Sequence, residues 1–344
     1  MSKGMNVLSC FDGMSCGQIA LKELGVEVNN YYASEIDKYA IQITQKNFPN
    51  TIQVGSITDL KVIDLPKIDL IMGGSPCQDL SFANTEGKGL EGERSNLFFE
   101  FVRLVDELKP KYFLLENVRM KKENLDIISE YLKVEPILIN SSKLSAQSRQ
   151  RYYWTNIPNI QQPIEKGIVL RDILEDEPTA RPTKLTERNI KHHKEGHEKS
   201  LCMTATMWKG AGNNGMTLVP QRIGTATDIN GHDILKRIYS RWGKSPTLNT
   251  CSGGNREPKV DSETGRSAEP YPPNKFFQMD LFGEAIPNDE MFWRCITPLE
   301  AERLQTVPDG YTEGVSKTRR LHMIGNGWTV SVIKHILSNM KEMR

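Results

Sequence analysis

The sequence predicts an α/β protein: a doubly wound, mostly parallel sheet followed by a second, smaller and irregular domain. Three observations carry this. Through residues 5–157 short apolar runs alternate with amphipathic stretches, the pattern of strands joined by crossover helices. Beyond about residue 170, Gly, Pro, Asn and Thr punctuate the chain, and long periodic segments stop until 298–304. Near the C-terminal end, 329–343 carries Val330, Val332, Ile333, Ile336 and Leu337 at helical spacing, a face that needs a surface to pack on.

The elements follow from the local pattern. Strands are expected at 6–11, 31–34, 68–72, 112–115, 136–140 and 151–155, where apolar and aromatic residues run for strand length between polar turns. Helices are expected at 17–24, 38–47, 95–108 and 123–132. Ligands of doubly wound sheets bind beyond the carboxyl ends of the strands, so residues just after each run are the first candidates for function. Three units are expected: a ligand-binding domain over 1–171, a second domain with a following hinge motif over 172–315, and a segment over 316–344 that returns to the first. Within the second, 257–274 is polar and Pro-rich enough to be an exposed loop.

Bulk properties exclude several classes. With 344 residues and 38% hydrophobic content the chain can bury a core. Its apolar runs are far too short to span a membrane, and Met1-Ser2-Lys3-Gly4 opens no signal-peptide core, so a cytoplasmic protein with no membrane partner is expected. Six cysteines, Cys10, Cys16, Cys77, Cys202, Cys251 and Cys295, form no Cys-x-x-Cys pair, and the histidines complete no ligand spacing, so no metal is expected. His192 and His193 read as part of a solvated basic segment. Net charge is +1, yet 181–259 holds fourteen Lys or Arg against six Asp or Glu. That surplus suits a phosphate-facing surface and equally an ordinary basic one.

Chemistry gathers at the strand ends. Phe11-Asp12-Gly13-Met14-Ser15-Cys16-Gly17 turns from the first strand into the first helix, where glycines allow close approach and helix amides stand unpaired. Glu35 ends the next strand, placed to take both ribose hydroxyls of an adenosine cofactor. The glycine spacing departs from the dinucleotide fingerprint, which disfavours a nicotinamide cofactor. Gly73-Gly74-Ser75-Pro76-Cys77-Gln78 follows the strand at 68–72, so Cys77 stands on a turn facing the ligand crevice, as a nucleophile must. Glu116 and Asn117 follow the strand at 112–115, and Gln147-Ser148-Arg149-Gln150-Arg151 brings two guanidiniums to the same end.

These motifs, in this order, resemble the cytosine-5 DNA methyltransferase family across nearly the whole chain. Phe11 to Gly17 looks like the family's cofactor loop, Glu35 its ribose carboxylate, Pro76-Cys77-Gln78 its nucleophile turn, and Glu116-Asn117-Val118 its base-binding segment. Gln147, Arg149 and Arg151 match its Gln-x-Arg-x-Arg element, Arg294 to Glu300 the motif after its recognition region, and Gly325-Asn326-Gly327-Trp328 its C-terminal cofactor motif. The wording is similar to the vertebrate de novo branch, while the compact length suits a bacterial or phage enzyme. One departure stands out: where the family has Gly-Asp for the adenine amino group, this chain reads Gly55-Ser56-Ile57-Thr58, leaving that contact to Ser56 or to Asp59.

The resemblance implies a sheet of the S-adenosylmethionine-dependent methyltransferase type and a target-recognition domain. Cofactor contacts are then expected from Phe11, Asp12, Gly13, Met14, Ser15, Gly17, Glu35, Ile36, Ser56, Ile57, Pro76, Leu97, Asn326, Gly327 and Trp328. It implies that Cys77 adds to carbon 6 of cytosine, Glu116 binds the ring nitrogen and exocyclic amine, and Arg151, with Arg149, holds the base carbonyl. The base must leave the duplex stack to be reached. The segment 81–96, with Gly87, Gly89 and Gly92, has the hinge character of a closing loop. Double-stranded DNA is the expected partner, with Gln78, Ser81, Asn213, Asn214, Arg222, Asn249, Asn255 and Arg256 as candidate contacts. The enzyme is expected to act as a monomer, in a restriction-modification setting with a cognate endonuclease or in phage anti-restriction. A tRNA substrate and a catalytically silent DNA-binding relative are the alternatives; the long variable region 172–293 favours DNA.

Overall fold

The computed structural model describes residues 4–75, 96–175 and 297–340, and between them the short strands 181–182, 222–225, 237–239, 259–262 and 292–295. The first part runs β1 (Met5–Cys10), α1 (Cys16–Glu23), β2 (Val28–Ser34), α2 (Lys38–Asn47), β3 (Ile52–Gln53), β4 (Leu70–Gly73), α3 (Asn96–Leu108), β5 (Tyr112–Val118), α4 (Lys122–Leu132), β6 (Ile137–Asn140) and β7 (Gln150–Thr155). These strands form one sheet in the order β3-β2-β1-β4-β5-β7-β6. All pairs are parallel except those of β7, which runs antiparallel to both β5 and β6.

The central strands bury both faces, which is why they read as continuous apolar runs. Along β1, Val7 enters one core and Leu8 the other; along β4, Leu70 and Met72 alternate with Ile71; along β5, Tyr112 and Leu114 alternate with Phe113 and Leu115. The first core takes Ile19 and Leu21 of α1 and Ile43 of α2, and the second takes Phe98, Phe101 and Leu104 of α3 and Ile128 of α4. The sheet is therefore covered on both sides, as the sequence predicts.

Strand order reverses between β1 and β4, and Cys10 sits in register with Gly73. Such a switch point opens a crevice at the carboxyl ends. It puts the loop after β1 beside the turn after β4. Gly73 is in turn paired with Leu115, so Glu116 lies one residue further along β5, and Arg151 enters from the opposite direction paired with Val118. Glu116 and Asn117, expected just after the strand, lie inside it.

Five further strands, β8 (Arg181–Pro182), β9 (Arg222–Thr225), β10 (Arg237–Tyr239), β11 (Lys259–Ser262) and β12 (Phe292–Cys295), form a second sheet in the order β8-β12-β11-β10-β9. The sequence shows an irregular domain here because strands of two to four residues are too short for an alternating pattern. The chain then enters α5 (Pro298–Leu304), α6 (Lys317–Asn326) and α7 (Val330–Leu337). A capping box of Thr297 and Glu300 with Pro298 in the first turn starts α5, a device worth about 1 kcal/mol. Ala301, Leu304, Val307 and Tyr311 already belong to the first core, and α7 delivers Val330, Val332, Ile333, Ile336 and Leu337 to it. The apolar face at the C-terminal end thus finds its partner surface beside α1.

Candidate active site

The loop after β1 is held in an unusual backbone shape. Phe11, Gly13 and Ser15 all have left-handed φ angles, 56°, 57° and 62°, a conformation that Phe and Ser adopt only under local constraint. The constraint is visible. Asp12 accepts from Tyr31 Oη at 2.8 Å and from Ser15 Oγ, Thr44 Oγ1 donates to Gly13 O at 3.4 Å, and Tyr311 Oη donates to Met14 O at 2.7 Å. Loss of solvent lifts the Asp12 pKa to about 6, against the pull of the bonds from Ser15, Ser9 and Tyr31. The Asp12 carboxylate thus turns inward and braces the loop. Met14 and Ser15 are likewise buried.

Glu35 accepts the Gly13 amide at 2.7 Å, the Ile36 amide at 2.7 Å and the Asp37 amide at 2.8 Å. Three amides fix its carboxylate beside the loop. Ser34 Oγ donates to Gly55 O at 2.8 Å, which draws the Gly55–Ser56 turn to the same strand end. Ile36 is 78% exposed next to Glu35, and the space over Gly13 and Gly55 is open. A carboxylate for ribose hydroxyls beside an uncovered apolar side chain for a purine face fits an adenosine group. Ser56 Oγ lies 2.8 Å from Thr58 Oγ1, which reaches Asp59 at 3.3 Å, so both replacements for the usual adenine-contacting Asp sit in one polar turn. The Ile57 side chain is sunk in the second core, and Leu97 packs against that core too.

The turn after β4 is tightly seated. A Cβ on Gly73 would lie 2.8 Å from the Phe101 ring, and one on Gly74 would lie 2.9 Å from Trp328 Nε1 and 3.1 Å from Glu116 Oε2. Buried Asn117 donates its side-chain amide to Ser75 Oγ at 3.0 Å. Pro76, Cys77, Gln78 and Ser81 lie outside the described residues. Cys10 and Cys16 do not compete as nucleophiles: burial raises both thiols, Cys16 to about 12 and Cys10 further.

Glu116 is 8% exposed and held from two sides. Trp328 Nε1 donates to Oε2 at 3.1 Å, and Arg151 Nε lies 3.0 Å from Oε1 as an ion pair off the hydrogen-bond axis. Tyr153, opposite Glu116 in the ladder, is pushed up by burial and by that carboxylate, and stays a neutral phenol. Arg149, expected to help hold the base carbonyl, is placed at the C-terminal motif. It is buried and gives Nη1 to Gly325 O at 3.3 Å and Nη2 to Gly327 O at 3.1 Å, clamping the turn that carries Trp328. Asn326, the last residue of α6, is exposed beside it.

Two residues with clear work here, Gln305 and Glu302, escaped the sequence reading. Gln305 Nε2 donates to Ile324 O at 2.9 Å and Gly327 O at 3.0 Å, while its Oε1 accepts from Gln147 and Thr329. Glu302 accepts from Arg320 Nη2 at 3.0 Å and from the Gly310 and Thr312 amides at 2.8 Å, which shapes the loop presenting Tyr311. The available signal was polar residues spaced through an otherwise apolar helix, which normally marks a solvated face. Of the expected DNA contacts, Arg222 opens β9, while Asn213, Asn214, Asn249, Asn255 and Arg256 lie outside the described residues.

A seven-stranded sheet of this order, its β7 reversed and its adenosine-type crevice at the switch point, defines the class of S-adenosylmethionine-dependent methyltransferases. The chain belongs to the C-5 cytosine-specific DNA methylase family, whose model matches residues 5–342. It is similar to the orphan methyltransferase M.SPBetaI of Bacillus phage SPbeta, 28% identical over 435 residues that cover 99% of this chain and 98% of the relative. Two solved structures share its fold: the Entamoeba histolytica methyltransferase EhMeth, at 15% identity, TM-score 0.63 and 98% coverage of both chains, and the Schizosaccharomyces pombe Dnmt2 methyltransferase, at 15% identity, TM-score 0.61 and 99% coverage of both. S-adenosylmethionine is the methyl donor.

Proposed function

We propose that the protein methylates carbon 5 of cytosine in double-stranded DNA, at a specific sequence, through a covalent Cys77 adduct. The observation that carries this is the Glu116 carboxylate, fixed between Arg151 and Trp328 within contact of the turn that leads into Cys77. Cytosine carbon 5 is a poor nucleophile until a thiolate adds at carbon 6. In the proposed step, the Cys77 sulfur bonds to carbon 6 and the ring electrons move toward carbon 5 and the ring nitrogen. A proton carried on Glu116 is shared with that nitrogen, where the charge builds, while the other carboxyl oxygen accepts from the exocyclic amine, and a preorganised partner costs no rearrangement at that moment. Arg151 holds the carboxylate's orientation from the other side. Bound against Glu35 and the 11–17 loop, S-adenosylmethionine supplies the electrophilic methyl group that carbon 5 takes up. Loss of the carbon-5 proton to a solvent base then expels Cys77 and restores the aromatic ring.

Arg149 acts at one remove, as a positioning residue for the 325–328 turn. The basic stretch 181–259 would hold phosphates while its loops read base edges. The catalytic unit is taken as about 1–171, and the return to it as about 297 rather than 316, because Ala301, Leu304, Val307 and Tyr311 lie in the first core. This reading takes a restriction-modification or phage anti-restriction setting, in keeping with a Neisseria lactamica relative named a type II methyltransferase and the phage SPbeta relative named an orphan methyltransferase. Tritiated methyl transfer to duplex DNA and to tRNA, run side by side, tests the substrate. Label in DNA is expected, and label in tRNA alone overturns the DNA assignment. Bisulfite sequencing of DNA from cells expressing the protein would give the methylated context, and Cys77→Ser should abolish the signal.

A further inference from the structure

Trp328 belongs to the C-terminal cofactor motif, yet its indole N–H is directed elsewhere. Its indole N–H points at Glu116 Oε2, 3.1 Å away. We propose that Trp328 is a positioning residue for the base-binding carboxylate, its N–H fixing the rotation of Glu116 while the same ring walls the cofactor side of the crevice. The inference rests on the methyltransferase reading above and deepens it.

The geometry ties the ring to both halves of the site. A Cβ on Gly17, in the first turn of α1, would lie 3.4 Å from Trp328 Cζ3. A Cβ on Gly74 would lie 2.9 Å from Nε1, at the ring's other edge. One rigid side chain thus spans from the cofactor loop to the turn before Cys77. It is itself 9% exposed, and its backbone is held by Arg149 and Gln305, which both donate to Gly327 O.

The chemistry explains why an indole suits the place. A buried carboxylate needs donors, and Arg151 supplies charge but no aligned hydrogen bond from Nε. The indole N–H supplies direction, carries no charge and does not titrate near neutral pH. It can therefore orient Glu116 without itself exchanging a proton with the carboxyl or the base. When the exocyclic amine of cytosine arrives as a new donor, the carboxylate already faces it, and the cost of fixing that rotation has been met on folding.

Trp328→Phe separates the two roles, because it keeps the aromatic wall and deletes the donor. S-adenosylhomocysteine affinity, by calorimetry, is expected to stay within about twofold of wild type. The rate of covalent trapping on duplex DNA containing 5-fluorocytosine is expected to fall about 10- to 100-fold, the range for a lost hydrogen bond to a charged group. Trapping at the wild-type rate overturns the proposal, and so does a loss of cofactor affinity that accounts for the whole defect. A second readout needs no activity. The chain has five Trp residues, so the indole resonance missing from the Trp328→Phe nitrogen–proton spectrum is assigned at once. In Glu116→Gln that resonance should move while the other indoles stay; a resonance indifferent to Glu116 overturns the bond itself. Wild-type protein that methylates no cytosine in duplex DNA would instead overturn the methyltransferase reading, and the spectrum would still decide the Trp328–Glu116 contact.

Discussion

The side-chain amide of Asn117 donates to Ser75 Oγ at 3.0 Å, and this bond ties the strand carrying Glu116 to the turn that leads into Cys77. Both partners are buried, at 1% and 5% exposure, so neither can turn to water if the other is lost. Asn117→Ala should cost about 1–3 kcal/mol of stability, the range for stranding a buried polar partner. Its larger effect should fall on catalysis, through a looser approach to Cys77. Single-turnover methyl transfer is expected to slow at least tenfold with S-adenosylhomocysteine affinity unchanged, and an unchanged rate would remove Asn117 from the positioning of the turn.

Tyr311 reaches across 297 positions of sequence to donate its phenol to Met14 O at 2.7 Å. The phenol is pushed far up by burial, so it stays a donor at any ordinary pH. Tyr311→Phe keeps the packing and removes one neutral hydrogen bond, worth about 1 kcal/mol. Because Met14 lies between the left-handed Gly13 and Ser15, the loss should appear as weaker cofactor binding, by about three- to tenfold. Calorimetry with S-adenosylhomocysteine would measure it, and equal affinity would mean that the loop holds its shape without this bond.

How much of this was legible in sequence depends on where each residue finds its partner. The runs at 68–72 and 112–115 announced strands because both their faces are buried, and the residue types at their ends announced a site. The continuation of β5 through Val118 was hidden, because Glu116 and Asn117 break an apolar run. Their compensation comes from Arg151, Trp328 and Ser75, which no local pattern links to them. Arg149 shows the same limit: the motif gave its identity, but only the fold shows its guanidinium turned onto the Gly325 and Gly327 carbonyls. Gln305 and Glu302 were missed because a buried polar residue on a helix looks, in sequence, like a solvated one.

Glu302 is fully buried and pairs with Arg320 at 3.0 Å while accepting three further hydrogen bonds from Gly310 and Thr312. Glu302→Ala would leave the Arg320 guanidinium, largely buried itself, beside an emptied acceptor site. Removing one partner of a buried ion pair typically costs about 3–5 kcal/mol. A denaturant midpoint shifted by that order is expected, together with weaker cofactor binding as the loop presenting Tyr311 loosens. A shift under about 1 kcal/mol would show that water takes over the carboxylate's role.

Asp12 gives the fold a pH signature. Its folded pKa of about 6 stands above the ordinary 3.8, raised chiefly by loss of solvent. Between those values the folded state keeps a proton that the unfolded chain has released, so stability falls as pH rises. The contribution is fully present below about pH 4 and lost as pH passes about 6. Asp12→Asn retains a carbonyl acceptor for Tyr31 and Ser15 but has no proton to lose. Carboxylates such as Asp309, held low by its bond to Arg303, act in the opposite sense and are common to both proteins, so they cancel in the comparison. The Tm of the variant minus that of wild type should therefore rise between pH 4 and pH 7. A difference that stays flat across that window would mean the Asp12 carboxyl titrates as an ordinary solvated acid, and that the 11–17 loop is braced by Tyr31, Thr44 and Tyr311 without it.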